Sequence, residues 1–135
     1  MSDRVIDPEI SAKDIPGLPT TRDVDKMIAL GIAFESLYLS GSNNLSLKFR
    51  SRVSWLLGKN KAHRKALKKK FKKVYDLRSK AAHTGKLPRD VKIEGKSVST
   101  LEFIEQVHGL CQQSILRIIK DRRFPDWAKI HIPDC

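Results

Sequence analysis

Two side chains in this sequence have the types and spacing to hold a phosphate and move a proton. They are Arg78 and His83, in the run Arg78-Ser79-Lys80-Ala81-Ala82-His83. An imidazole takes or gives a proton near neutral pH, and a guanidinium grips a phosphate through paired hydrogen bonds. Other reactive patterns are missing: the chain has no HExxH, no CxxC, no Walker loop, no GxGxxG and no Gly-x-Ser-x-Gly. Metal and nucleotide-cofactor chemistry are therefore not expected, and the site carries neither in this reading. Of the remaining histidines, His63 lies in a basic run, His108 flanks an apolar helix stripe as a packed or rim residue, and His131 sits in the C-terminal tail.

The segment that holds Arg78 and His83 also holds most of the charge. The 135-residue chain has 27 Lys and Arg against 15 Asp and Glu, a formal +12. Between Asn60 and Lys86 a single anion, Asp76, stands among eleven of those cations. Clustered cations attract nucleic acid, or an anionic membrane surface, without any specific contact, so a polyanionic partner is expected. Lys65, Lys68, Lys69, Lys72, Lys73 and Lys80 are the expected nucleic-acid contacts. A charge run is usually only a solvated helix face, and Leu67, Phe71 and Val74 do leave a stripe that can dock while the lysines point outward. Ordinary solvated faces mix both signs, however. The five lysines from Lys68 to Lys73 repel one another along a helix, which favours a polyanion-binding role over drift. With only Phe71 and Tyr75 interleaved, base stacking is not expected of this helix.

Positioning these groups needs a folded body. The length suits one domain, and 40% hydrophobic with 31% charged residues is the balance of a globular protein. The apolar run Ile28 to Phe34 is far short of the roughly 20 residues that span a bilayer, and MSDRVIDPEI lacks the basic start and apolar core of a secretory signal. A cytoplasmic protein with no membrane partner is expected, with Cys111 and Cys135 as thiols. Three of the six prolines fall before Thr20, so residues 1–20 read as an extended arm. Helices are predicted over 22–39, capped by Thr20 or Thr21, over 45–57, over 60–83, and over 99–120 from a Ser99-Thr100-Leu101-Glu102 capping box. The last carries a stripe of Leu101, Ile104, Val107, Cys111, Ile115 and Ile118. Val91 and Ile93 before Glu94-Gly95 predict a small hairpin within 86–99. Residues 21–123 form the expected domain and 124–135 a tail. The prediction is an all-α, four- to five-helix up-and-down bundle.

At about 100° per residue, Glu35 falls on the apolar stripe of the first helix with Val24, Ile28, Gly31 and Tyr38. Arg52 falls on that of the second with Leu45, Phe49 and Leu56. Opposite charges on facing stripes of two antiparallel helices predict a Glu35–Arg52 ion pair that fixes register more than it stabilises. The plainer alternative has both side chains reaching solvent past the rim of the bundle.

Three blocks of the sequence carry a family resemblance. They are Ile32-Ala33-Phe34-Glu35-Ser36-Leu37-Tyr38-Leu39, Arg50-Ser51-Arg52-Val53-Ser54-Trp55-Leu56-Leu57-Gly58, and Tyr75-Asp76-Leu77-Arg78-Ser79 running on to His83. In order and spacing, over Val24 to Gly85, they resemble the Apea-like branch of the HEPN superfamily, whose signature is Arg-x4-6-His with a polar residue after the arginine. The resemblance implies an all-α bundle that forms a homodimer with its Arg-His motifs at the interface. In active members it implies a metal-independent endoribonuclease of a toxin–antitoxin or antiviral defence setting, with an antitoxin or other regulatory protein as a further partner. His83 would then be the general acid or base for attack of the RNA 2′-hydroxyl on the adjacent phosphate, Arg78 the phosphate clamp and Ser79 a supporting hydrogen bonder. The alternative is a non-catalytic nucleic-acid-binding or protein-interaction module of the same family. On an ideal helix Ser79 lies about 40° and Asp76 about 20° from His83, whereas Arg78 is about 140° away. Either the helix is distorted at Ala81-Ala82, or a twofold-related helix completes the pair. Asp76 either orients His83 or balances neighbouring lysines.

Overall fold

Local sequence sets where the helices begin and end. The computed structural model describes residues 18–39, 45–127, 129–130 and 132. Among them are helices α1 (Thr21–Tyr38), α2 (Leu45–Leu57), α3 (Lys61–Thr84) and α4 (Thr100–Asp121), with strands β1 (Asp90–Ile93) and β2 (Lys96–Ser99) between α3 and α4. The expected arm up to residue 17, His131 and Cys135 lie outside the described residues. Thr20 caps α1: its hydroxyl accepts from the Asp23 amide, and the Asp23 carboxylate accepts the Thr20 amide at 2.7 Å, a reciprocal capping box. Asn60 caps α3 through the His63 amide at 2.8 Å. That helix stops at Gly85, where φ of +69° suits a residue without Cβ and the amide donates to the Ala81 carbonyl. Ser99 caps α4 through the Glu102 amide at 3.1 Å.

The small hairpin forms as expected. β1 and β2 pair antiparallel with Val91 opposite Val98, and Glu94 and Gly95 supply the two positive φ values, +53° and +80°, of a type I′ turn. Thr100 ties the base of the hairpin to α4. Its amide donates to the Arg89 carbonyl at 2.8 Å and its fully buried hydroxyl to the Pro88 carbonyl at 2.6 Å.

The core is aromatic. The Phe71 ring stands edge-on to Phe34 and Phe49 at 5.2 and 5.1 Å, and Tyr38 packs on Phe34, Phe49 and Trp127. The Tyr38 hydroxyl meets the Ser114 hydroxyl at 2.5 Å, so the polar end of a buried ring is satisfied. Residues 124–135 were expected as a tail, but Trp127 is only 5% exposed and its indole N–H donates to the Leu37 carbonyl at 3.1 Å. Trp127 is part of the body.

The helices do not follow the expected up-and-down order. Lys26 pairs with Glu105 near the starts of α1 and α4, and Tyr38 meets Ser114 further along both, so the two helices run parallel. First and last helices of a plain up-and-down bundle of four run antiparallel. The cause lies in α2. Phe49 touches Phe34 and Tyr38, but the following turns lead to the Tyr38 carbonyl at Arg52 and to Trp127 at Trp55. Helix α2 thus crosses the C-terminal end of α1 instead of running back along it, and then forms an antiparallel hairpin with α3. In α4, Ile104, Val107, Cys111 and Ile118 are buried as expected, whereas Ile115 is 41% exposed because the seam is narrower than the predicted stripe.

Trp127→Ala should therefore act as a core deletion, lowering unfolding free energy by about 3–5 kcal/mol in urea titration. A change within the noise of a surface substitution would place this tryptophan outside the folded body.

Candidate nucleic-acid interface

Helix α3 divides its residues sharply by face. Leu67, Phe71, Val74, Leu77 and Ala81 are buried, which turns Lys65, Lys69, Lys72, Asp76, Lys80 and His83 into one exposed stripe. At 1.5 Å per residue, Lys65 and His83 are about 27 Å apart along that stripe. Lys68, Lys73 and Ser79 border it as half-buried flanks. The cations are not all unengaged: Lys69 lies 3.5 Å from the Glu94 carboxylate at the hairpin turn, and Lys70 donates to the Gln106 side chain at 3.1 Å.

Arg78 is on the other side of the helix. It continues the inward row of Phe71 and Val74, and its side chain crosses α1 at Gly31, where any Cβ would collide with Arg78 Cγ. Beyond Gly31 its Nη2 reaches Glu35 Oε1 at 2.6 Å, the two side chains being 29% and 35% exposed. The contact is an ion pair without hydrogen-bond alignment, and Arg78 Nε–H has no acceptor. The expected Glu35–Arg52 pair is thus replaced by Glu35–Arg78. The crossing of α2 carries Arg52 past Glu35 to the end of α1. There its guanidinium donates to the Tyr38 carbonyl at 2.5 Å and lies over the Trp127 ring at 5.5 Å. It serves the carbonyl end of α1, which has no cation of its own in its last turn. Burial lowers the Arg52 pKa from its ordinary value.

Of the expected catalytic group, the structure brings Ser79 and His83 to neighbouring positions on the outer side and separates both from Arg78. The helix is regular through Ala81-Ala82, so the first of the two alternatives, a local distortion, is absent. Asp76 and His83 share the outer face, but neither makes a hydrogen bond or ion pair with a described residue. Two turns, about 11 Å of helix, separate them. Orientation of His83 by Asp76 is not made within the chain. His63 is a capping residue whose Nδ1 accepts the Lys59 amide at 3.0 Å. Cys111 is a packing residue: it is buried, and burial raises its thiol pKa, which keeps it out of the nucleophilic thiolate form. Among the described residues no cluster of His, Cys, Asp and Glu could hold a metal ion, and no helix is long and apolar enough to cross a membrane.

The Glu35–Arg78 contact is the feature that sequence reasoning missed. Its signal was a long cation at the spacing of Leu67, Phe71 and Val74, opposite a helix offering glycine and glutamate one turn apart. No family model, curated protein or solved structure matches the chain.

Gly31→Ala should displace Arg78 and lower stability by about 1–3 kcal/mol, as overpacking does. In an Arg78→Ala background the same change should be neutral or stabilising by up to about 1 kcal/mol, the helix preference of alanine over glycine. Equal costs in both backgrounds would mean that Arg78 does not occupy the space over Gly31.

Proposed function

We propose that this chain is an RNA-binding helical domain of HEPN type that cleaves RNA without a metal, with the outer face of α3 as its RNA track and His83 as general acid or base. The observation that carries this reading is the exposed stripe of α3. Lys65, Lys69, Lys72 and Lys80 line it against the single anion Asp76, and it ends in a solvent-accessible imidazole with no partner among the described residues. RNA phosphates laid along Lys65, Lys69, Lys72 and Lys80 would release counterions and reach His83. The 2′-hydroxyl attack would then be assisted by the imidazole, with Ser79 beside it as a hydrogen bonder. Arg78 points inward onto Glu35, so its guanidinium, from this chain or from a second copy brought against this end of α3, would meet the phosphorane only after leaving Glu35. A second reading, a non-catalytic binding module, is favoured by the Glu35–Arg78 pair, which occupies the guanidinium that cleavage needs.

Labelled single-stranded RNA incubated in EDTA separates the two readings. Wild type should cleave it and leave 2′,3′-cyclic phosphate ends, and His83→Ala should bind without cleaving. Replacing Lys65, Lys72 and Lys80 by alanine should weaken binding and flatten its log–log salt slope by about 2. Binding of several RNAs by wild type with no cleavage selects the non-catalytic module, and no salt-dependent binding at all sinks both.

A further inference from the structure

Away from the α3 track, the C-terminal half of α4 presents a second surface. Leu116 and Ile119 leave 64% of their surface in solvent and Ile115 leaves 41%; just past the helix, Phe124 leaves 63%. The three helix residues sit at i, i+1 and i+4, a short ridge along the axis bordered by exposed Gln112 and Gln113. Around its C-terminal end stand exposed Lys120, Arg122 and Arg123, none paired with a described residue, while Arg117 is engaged by Asp121 at 3.4 Å. Large apolar side chains held in water beside unneutralised cations mark an interaction surface.

We infer that this face of α4 docks an acidic amphipathic helix of a partner protein. Charge complementarity selects the occupant. A second copy brings its own Lys120, Arg122 and Arg123 against these across a twofold axis. A lipid surface asks for a broad apolar face, whereas a ridge this narrow fits the groove of one helix. Glutamates flanking the partner's apolar stripe meet the three cations. The surface is independent of RNA chemistry at His83.

The probe is a fluorescein-labelled peptide of roughly 18 residues with leucine at i, i+3, i+4 and i+7 and glutamate at the other positions, read by anisotropy. It should bind wild type and His83→Ala protein alike. Leu116→Glu/Ile119→Glu and the milder Leu116→Ser/Ile119→Ser should each weaken it about tenfold or more, with circular dichroism confirming the fold. Arg122→Glu/Arg123→Glu should also weaken it and reduce its salt dependence. The inference is overturned if the double-serine protein binds the peptide as well as wild type does, or if a lysine version of the peptide binds equally. It is likewise overturned by phosphatidylserine vesicles binding through the same residues, or by a wild-type dimer that these substitutions dissolve.

Discussion

Phe34 and Tyr38 sit one turn apart on α1, and everything else in the molecule is arranged around the surface they offer. Phe49 reaches them from α2, Phe71 from α3, Ser114 from α4 and Trp127 from beyond the last helix. A ring that touches so many elements fixes their relative placement, because aromatic side chains have few rotamers and their edge-on contacts have a preferred geometry. Burial raises the Tyr38 hydroxyl's pKa above that of an ordinary phenol, so it stays protonated to donate or accept within the core. The parallel course of α1 and α4 and the crossing of α2 both follow from this single cluster. Every neighbour must come to the C-terminal end of α1 to share in it.

The sequence made the element boundaries legible because their causes are local. Thr20, Asn60 and Ser99 as caps, Gly85 as terminator and Glu94-Gly95 as turn act within a few residues of themselves. The division of α3 into apolar and lysine faces was equally legible, since helical periodicity alone fixes it. Partner choice was not. Glu35 stood on the right stripe, but whether Arg52 or Arg78 came to it depended on the crossing of α2, which depended on where Trp127 docked. Periodicity places a residue on a face and says nothing about which helix covers that face. Ile115 shows the same limit: a residue at the edge of a stripe is buried or exposed according to the width of its neighbour.

Arg78 and His83 illustrate how one helix can separate two groups that a linear motif joins. The inward residue belongs to the α1–α3 seam, where glycine makes room and glutamate supplies the charge; the outward one belongs to solvent. A substitution at Arg78 therefore alters helix packing, while one at His83 has little effect on the fold. Loss of function at the two positions would carry different information, and only the second would bear on the proposed proton transfer.

The indole of Trp127 and the carbonyl of Leu37 that it meets are 90 residues apart, and Tyr38 and Ser114 are 76 apart. Contacts this distant in sequence form only after the residues up to Ser114 and Trp127 have been made, so they contribute nothing while α1 and α2 emerge from a ribosome. The C-terminal end of α1 waits for Ser114 and Trp127 to arrive. The contacts that close the C-terminal end of α1 are therefore made late, with Trp127 as the latch.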